Sequence, residues 1–310
     1  MIPDRDAITQ ARARIAGHVR QTPVLQTDLP GLPAMAFKLE NTQVTGSFKP
    51  RGAFNTLLSG PVPGAGVVAA SGGNHGAAVA YAARALGHPA HIFVPEYAGP
   101  AKIALIAATG ARLTVSPGSY QDSLDLALAY GAATGAMQIH AYDAPATVAG
   151  QGTLFAEWDD QGLQADTVLI AVGGGGLIAG ALAWWGRPDA AGRRVVAVEP
   201  ELAPTLHMAL RHGPATEVEV GGIAANALGA RRIGAMCHDL ARAQAITSLL
   251  VPDAAIAAAQ RLLWDGLRQW VEPAGATALA ALTSGAYVPA RDERVAVLIC
   301  GANPAPDPFG

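Results

Sequence analysis

TVLIAVGGGG, residues Thr167–Gly176, is the stretch that decides the fold. Thr167–Val172 is short, apolar and rich in β-branched residues, which is typical of a buried parallel strand. The glycines that follow, Gly173–Gly176, free the backbone for a tight turn, and helix-like sequence begins directly after them. A strand, a glycine turn and a helix in this order predict an α/β fold, in which ligands bind at the carboxyl ends of parallel strands.

The same alternation continues along the chain. Further short apolar runs predict strands at Ala36–Glu40, Val67–Ala70, Ala90–Val94, Arg112–Val115, Val195–Val198 and Val295–Ile299. Helices are predicted over His75–Leu86, Pro100–Thr109 and Asp253–Trp270, because glycine or proline follows each of them. Because no Pro-, Gly- or Ser-rich linker cuts the chain, we expect a second domain to be inserted in the first.

The composition restricts the possible functions. Of the 310 residues 51% are hydrophobic and 15% charged, which argues against disorder. A net charge of −3 gives no electrostatic basis for binding a nucleic acid, so we expect no such partner. No signal peptide or apolar stretch of about 18 residues is found, so we expect a cytoplasmic protein without a membrane partner. Cys237 and Cys300 provide neither a disulfide framework nor a metal cluster.

Gly173–Gly176 predicts an anion site. Consecutive backbone N–H groups at the start of a helix can converge on one phosphate. The segment lacks the Lys-Ser/Thr pair of a nucleotide P-loop and the spacing of a dinucleotide fingerprint, so a compact phosphate fits better. The alternative is a tight turn without a ligand.

Two other segments carry groups suited to a site. Ser71–Gly76 (SGGNHG) offers a hydroxyl, a carboxamide and an imidazole beside helix N–H groups, which suits a carboxylate, although a helix N-cap explains the same residues. Lys49, between Phe48 and Pro50, could form a Schiff base with a carbonyl if burial lowered its pKa. A solvated surface position is the more usual role of a lysine.

Together and in order, these motifs resemble the pyridoxal-phosphate enzymes of the tryptophan-synthase-β type (fold type II), and among them the serine/threonine dehydratase family with serine racemase. The resemblance rests on Ser47–Gly52 (SFKPRG), Ser71–Gly76, Gly173–Leu177 and Cys300–Asn303 (CGAN). It runs from about Ile8 to Asn303 and also covers Gly150–Thr153, Val198–Pro200 and Val271–Ala276.

The resemblance implies a fold and an assembly. It implies two open twisted parallel-sheet domains, the smaller inserted in the larger, with pyridoxal 5'-phosphate in the cleft between them. We expect the large cofactor-binding domain to comprise residues 1–52 and 145–310, and the small domain residues 53–144. A homodimer is the usual state of the enzymes that the chain resembles.

It also implies a role for each matching residue. Lys49 would hold the cofactor covalently and act as the base at the substrate's Cα, and it is the one catalytic residue predicted. The other cofactor contacts would come from Phe48, Asn74, Gly173, Gly174, Gly175, Gly176, Leu177 and Cys300. The substrate carboxylate would bind to the loop of Ser71, Gly72, Gly73, Asn74 and His75.

Cys300 takes the position, usually serine and sometimes cysteine, that faces the pyridine nitrogen in the family. A neutral thiol cannot stabilise a protonated pyridinium as a carboxylate would. The cofactor is then a weaker electron sink, which favours loss of a β-leaving group close in time to Cα deprotonation. Cys300 could also be simply a small buried hydrophobe at a strand end, and the two roles are compatible.

The chain departs from the family pattern at three places. Gly72 replaces the serine that reprotonates Cα in serine racemase, so racemisation by that route is disfavoured. Glu199 and Ala203 match two ligands of a divalent cation found in some members, but Thr205 replaces the third, an aspartate; we therefore expect no metal, with these two as weak candidates. The chain ends soon after Val295–Ile299, so we expect no C-terminal regulatory domain.

The function implied is α,β-elimination by a pyridoxal-phosphate-dependent ammonia-lyase. It would convert a β-hydroxy-α-amino acid, L-threonine or L-serine first, to a 2-oxo acid and ammonia. The alternatives are 3-hydroxyaspartate as substrate, racemisation or β-replacement on the same fold, and, more distantly, a non-catalytic protein that binds a phosphorylated ligand. Glu272, His140 and Tyr142 have a structural as well as a functional explanation, and Cys237 is expected to be an ordinary helix residue.

Overall fold

The structure, a computed structural model, describes residues 1–118, 120–186 and 193–303. Its helices are α1 (Arg5–Ile15), α2 (Lys49–Leu58), α3 (Asn74–Ala85), α4 (Pro100–Ala107), α5 (Tyr120–Thr134), α6 (Pro145–Asp160), α7 (Gly176–Trp185), α8 (Thr205–His212), α9 (Ala225–Leu228), α10 (Ala235–Ala243), α11 (Asp253–Leu267) and α12 (Pro273–Thr283). Its strands are β1 (Val24–Thr27), β2 (Met35–Leu39), β3 (Val67–Ala70), β4 (Ala90–Pro95), β5 (Arg112–Ser116), β6 (Met137–Gln138), β7 (Thr167–Ala171), β8 (Arg194–Pro200), β9 (Thr247–Val251) and β10 (Val295–Ile299). None of these helices has both the length and the apolar character needed to cross a lipid bilayer.

The strands form two sheets. The larger has the order β1-β2-β10-β7-β8-β9 and the smaller the order β5-β4-β3-β6. Neighbouring strands are parallel except β1 and β2, where Val24 lies opposite Lys38 and Thr27 opposite Met35. The central strands β7 and β10 are buried along their whole length, as expected of parallel strands covered by helices. The α/β prediction is confirmed, with one antiparallel edge strand that it did not contain.

The predicted strands are all present, whereas β1, β6 and β9 are not predicted. The strands β1 and β9 lie at the two edges of the larger sheet and are half-exposed, so they lack a continuous apolar run. The predicted third helix ends earlier than expected. Arg268 adopts a left-handed backbone (φ 54°) and stops α11 at Leu267.

Close helix packing places the start of α2. Helix α6 contacts both α2 and α7, and its residues Thr147–Trp158 are all buried. A Cβ at Gly150 would lie 2.6 Å from the Cα of Gly52, and one at Gly180 would lie 2.6 Å from the backbone nitrogen of Gly152. Glycine at these positions lets the three helices approach, and this approach fixes the position of α2, whose first residue is Lys49.

Three functional segments follow directly from strand ends. The strand β3 leads into the loop Ser71–Gly73, β7 leads through Val172 into Gly173–Gly175, and β10 leads into Cys300. Because parallel strands present their carboxyl ends on one side of a sheet, the segments after β7 and β10 lie side by side in the larger sheet. The segment after β3 belongs to the smaller sheet, and Asn74, which follows it, lines the same cleft as the other two.

Candidate active site

A cleft opens at the carboxyl ends of these strands. Its walls are formed by Phe48, Lys49, Asn74, Tyr142, Ala171–Leu177, Ala227, Leu228, Glu272, Ala274 and Cys300. The structure therefore brings together all the residues that the sequence predicts to contact the cofactor. Of the predicted substrate loop, Asn74 alone belongs to this lining.

The rest of that loop makes contacts of its own. The Ser71 Oγ accepts a hydrogen bond from the Gly73 backbone N–H (3.1 Å), and the His75 Nε2 lies 3.0 Å from the carbonyl oxygen of Ile139. Burial lowers the pKa of His75 to about 3, so the ring is neutral and its Nε2–H donates to this carbonyl. A role of the loop towards the substrate stays a prediction.

Lys49 presents its amine to the cleft. The amine nitrogen Nζ donates a hydrogen bond to the Ala141 carbonyl (3.0 Å) and lies 5.1 Å from the centre of the Phe48 ring. Burial lowers the pKa of Lys49 to about 8, although Cys300 and Glu272 act in the opposite direction. Near pH 8 an appreciable fraction of the amine is therefore uncharged and nucleophilic.

The glycine turn opens the amino end of α7 to the cleft. Gly175 has a left-handed backbone (φ 90°), and no side chain caps the first turn of α7. The first N–H groups of a helix have no partner within it, so they are available to an anion, and the helix dipole adds attraction. A Cβ at Gly173 would lie 2.8 Å from the Cα of Leu228, so a side chain does not fit there.

Asn74, at the start of α3, is held between two other polar side chains. Its Nδ2 donates to the Glu272 Oε1 (2.5 Å), and its Oδ1 accepts from the Asn303 Nδ2 (2.6 Å). Glu272 precedes Pro273, the first residue of α12, so it lies both at a helix start and in the cleft. Asn303 belongs to the CGAN segment but is not among the predicted site residues.

Cys300 contributes a neutral thiol. Its Sγ donates to the carbonyl oxygen of Ala274 (3.4 Å). Burial, followed by the nearby Glu272 carboxylate, raises the pKa of the thiol well above its usual range. Cys237 lies in α10 as predicted; it is buried under Gly175, whose Cβ would lie 2.5 Å from the Cys237 Sγ.

Comparisons with known proteins show the family of the chain. Residues 15–301 match the family described as pyridoxal-phosphate dependent enzymes. The chain belongs to this family. It is 37% identical to phenylserine dehydratase of Ralstonia pickettii, over 97% of this chain and 94% of the relative. It is 33% identical to L-threonine ammonia-lyase of Geobacter sulfurreducens, over 95% and 74%. Its fold matches maize serine racemase with a TM-score of 0.89 at 30% identity, over 98% and 94%.

The residues of this pyridoxal-phosphate dependent enzyme fit the cofactor of its family. The uncapped amino end of α7 suits a phosphate dianion. The Lys49 amine, with its pKa lowered to about 8, suits a carbonyl carbon. The Asn74 amide keeps a second Nδ2 hydrogen for a ring oxygen, and the Cys300 thiol suits an unprotonated ring nitrogen.

A methyl group at Gly174 tests whether the glycine turn binds a phosphate. In the Gly174→Ala variant the new Cβ would overlap the Tyr142 ring, so either the ring or the turn must move. We expect the affinity for pyridoxal phosphate to fall about tenfold or more, because the N–H groups of the displaced turn no longer converge on one phosphate. Titration of the apoprotein measures it, with Gly60→Ala, where a Cβ meets open space, as the matched control. Equal affinities of the two variants would contradict the assignment.

The segment His140–Asp143 packs against the glycine turn. The ring of Tyr142 packs under Gly174, and the His140 Nδ1 accepts hydrogen bonds from the backbone N–H groups of Tyr142 (3.2 Å) and Asp143 (2.9 Å). Asp143 in turn accepts from the Ala235 N–H (2.9 Å) at the start of α10. His140 and Asp143 thus serve packing and capping, and Tyr142 lines the cleft as well.

The weak metal candidates have other partners. The buried Glu199 carboxylate accepts from the backbone N–H groups of Leu206 (2.6 Å) and His207 (2.8 Å) in the first turn of α8. Burial raises the pKa of Glu199 to about 7. The Ala203 carbonyl accepts from the Thr205 N–H (3.0 Å). In the part of the chain that the structure describes, no three His, Cys, Asp or Glu side chains are grouped as metal ligands would be.

Arg51, the cation beside Lys49 in sequence, is not available to a substrate. Its guanidinium binds both carboxylate oxygens of Glu40 (2.7 and 2.8 Å) and one of Glu157 (3.0 Å). Its side chain is 1% exposed. It therefore lies outside the cleft lining and stabilises the start of α2.

Proposed function

We propose that this protein is an ammonia-lyase that removes the β-hydroxyl and the amino group of a β-hydroxy-α-amino acid, giving a 2-oxo acid and ammonia. The observation that carries the proposal is the pairing of the Lys49 amine with the neutral Cys300 thiol in one cleft. When bound, pyridoxal phosphate withdraws electrons from the substrate's Cα and so acidifies its proton. Lys49 Nζ, partly uncharged near pH 8, accepts that proton.

Cys300 favours elimination over the other reactions of the fold. Its thiol is neutral because burial raises its pKa, so it gives no charge to stabilise a protonated ring nitrogen. Negative charge at Cα is then short-lived, and departure of the β-hydroxyl follows its formation closely. We assign to the amino end of α7 the phosphate of the cofactor, and to Asn74 its ring oxygen.

The racemase alternative is disfavoured at Gly72. A Cβ there would overlap the Cβ of Ala98 and lie 3.2 Å from the Val94 Cγ1. A serine side chain would therefore require the loop to shift, and glycine has no proton to give to the second face of Cα. We place the substrate carboxylate at the loop Ser71–Gly73 with Asn74 and His75.

The cleft suits a substrate whose β-substituent is uncharged. Lys49 and Glu272 are the only charged side chains in its described lining, which also contains the apolar residues Ala227 and Leu228. Arg51 is already paired with two carboxylates, so it does not serve a second substrate carboxylate. We therefore place L-threonine and L-serine, and by similarity to the Ralstonia pickettii relative L-phenylserine, ahead of 3-hydroxyaspartate.

The proposal extends to the assembly, location and domain limits of the protein. We propose a homodimer in the cytoplasm, without a nucleic-acid or membrane partner and without a required metal. The domain limits, residues 1–52 with 145–310 and residues 53–144, stay a prediction. They separate the strands of the six-stranded sheet from those of the four-stranded sheet.

One substrate panel tests the function. Serine, threonine, phenylserine and 3-hydroxyaspartate, each as both enantiomers, are offered to the holoenzyme, and oxo-acid release is followed. We expect the L-substrates with an uncharged β-substituent to exceed 3-hydroxyaspartate in kcat/KM by about tenfold or more, since the second carboxylate of 3-hydroxyaspartate would lack a cation. Exchange of the α-proton without oxo acid would indicate a racemase, and capture of added sulfide a β-replacement enzyme. A wild-type protein without the absorption band of lysine-bound cofactor would indicate the non-catalytic alternative.

A further inference from the structure

A chain of hydrogen bonds crosses the edge of the cleft and joins four separate segments of sequence. The Asn303 Nδ2 donates to the carbonyl oxygen of Thr45 (2.7 Å) and to the Asn74 Oδ1 (2.6 Å), and the Asn74 Nδ2 donates to Glu272 (2.5 Å). Asn74 is the one member that we assign to the cofactor ring. Glu272 lines the same cleft, whereas Thr45 and Asn303 do not belong to its lining.

The direction of this chain follows from its two ends. A backbone carbonyl can only accept a hydrogen bond, so the Thr45 carbonyl requires Asn303 to turn its Nδ2 towards it. Because Asn303 then also presents Nδ2 to Asn74, the Asn74 amide must present Oδ1 in return. Its Nδ2 is thereby directed at Glu272, an acceptor when ionised, and its second Nδ2 hydrogen remains for the cleft. Both ends thus select the same one of the two amide orientations.

The backbone around the chain is built to bring these groups together. Thr45 has a left-handed backbone (φ 62°), which β-branched residues rarely adopt and which is concentrated at functional sites. A Cβ at Gly46 would lie 2.6 Å from the Asn303 Oδ1. At Gly301 a Cβ would overlap the Glu272 Oε1 and lie 3.4 Å from the Asn74 Nδ2. The chain therefore depends on two glycines and one strained residue.

We propose that Asn303 is a positioning residue, which fixes the Asn74 amide so that it donates, rather than accepts, a hydrogen bond at the oxygen of the cofactor ring. The proposal rests on the proposed function in assigning Asn74 to that oxygen. An amide turned the other way would present Oδ1 to a negatively charged oxygen. Donation at this oxygen favours its ionised form, so the orientation of one amide controls the protonation state of the bound cofactor.

The Asn303→Asp variant tests the proposal, because aspartate has the same shape but no hydrogen to donate. We expect the Asn74 amide to rotate, so that the ring oxygen loses its hydrogen-bond donor. The pH at which the absorption band of lysine-bound cofactor changes should therefore rise by about one unit or more. We expect kcat to fall by about 10-fold to 10²-fold while KM changes less. The Asn303→Ala variant, which releases Asn74 without repelling it, should show a smaller shift in the same direction.

Two further variants separate positioning from stability. Asn55→Asp removes an equal amide-to-carbonyl hydrogen bond (2.7 Å to Ala146) away from the cleft, while its carboxylate still accepts from the Arg14 guanidinium. We expect this variant to leave the band unmoved, whatever its melting temperature. Adding Glu272→Gln to Asn303→Asp gives the rotated Asn74 a donor at its Oδ1. We expect this double variant to regain melting temperature while its band stays shifted.

The outcomes distinguish the proposal from a merely structural role and from failure of the proposed function. A wild-type band and kcat in the Asn303→Asp variant, whatever its melting temperature, would overturn the proposal. Recovery of the band together with melting temperature in the double variant would do the same. A wild-type enzyme that shows the band but releases no oxo acid overturns the proposed reaction, and the band shift still decides the role of Asn303.

Discussion

Replacing Lys49 by methionine is expected to lower kcat by about 10⁴-fold, the upper end of what a positioned general base contributes, and to abolish the absorption band of lysine-bound cofactor. Methionine fills the same space with an unbranched side chain but has no amine. Because we assign to Lys49 both the covalent attachment and the transfer of the Cα proton, the two readouts should be lost together. Oxo-acid release and the absorption spectrum, both at saturating pyridoxal phosphate, measure them.

Lys49→Arg is the matched control, because it keeps a positive charge in the cleft. A guanidinium stays protonated at all accessible pH values, so it neither attaches the cofactor nor accepts a proton. If charge alone were needed, this variant would keep its activity; we expect it to be as inactive as the methionine variant. Oxo-acid release by Lys49→Met at a rate close to that of the wild type would refute the assignment.

The same methionine variant reports the pKa of Lys49 in the apoprotein. Burial lowers this pKa from 10.5 to about 8, whereas the unfolded chain keeps the ordinary value. Between these values the unfolded chain binds more protons, so the free energy of unfolding rises with pH across that window. Below it the folded protein bears the full cost of a desolvated ammonium, about 3 kcal/mol for a shift from 10.5 to about 8. Denaturant unfolding should find the variant more stable near pH 7, by a margin that shrinks as pH rises towards 10.

Local sequence predicts the parts of this fold whose neighbouring residues share one environment. The strand β7 and the turn Gly173–Gly175 follow from contiguous apolar residues and glycines, and both are present. The strands β1 and β9 have half-exposed residues at sheet edges, so their environment is set by distant partners. The antiparallel pairing of Val24 with Lys38 is such a tertiary effect and leaves no local signal.

At the site, sequence identifies the groups with chemistry but not those that hold them. Lys49 and Cys300 belong to motifs, and the structure places both in the cleft. Tyr142 reaches the glycine turn, and Asn303 reaches Asn74 across 229 residues of sequence, only after the chain has folded. No spacing rule connects such pairs. The contacts of supporting side chains are therefore the part of the site that cannot be predicted from the sequence alone.

Arg51→Met is expected to destabilise the protein by about 3–5 kcal/mol, the usual cost of leaving a buried charge without its partner. Arg51 pairs with Glu40 and Glu157, and Lys38 approaches Glu157 from the other side (2.6 Å). All four side chains are at most 9% exposed, so water screens them little. Burial raises the pKa of Glu157, but Arg51 and Lys38 outweigh it and hold that pKa below its usual value. Without Arg51, two carboxylates share one cation.

Urea unfolding of the apoprotein measures this cost, with an exposed pair as the control. Arg294 binds Asp166 through its guanidinium (2.6 Å) with both side chains about half-exposed, and we expect Arg294→Met to change the stability little. An equal effect of the Arg51 and Arg294 variants would show that burial of the cluster carries no special cost.

Removing Glu40 together with Arg51 leaves Lys38 and Glu157 as a balanced pair. We therefore expect the double variant Arg51→Met/Glu40→Met to be more stable than Arg51→Met alone, although it has lost more hydrogen bonds. If the double variant instead lost more stability than Arg51→Met alone, as the sum of two independent effects would require, the cluster would not be held by its charge balance. Because Arg51 lies two residues after Lys49 at the start of α2, the single variant should also lower kcat by displacing the amine. Recovery of kcat in the double variant would then show that the buried charges act on catalysis through the position of α2.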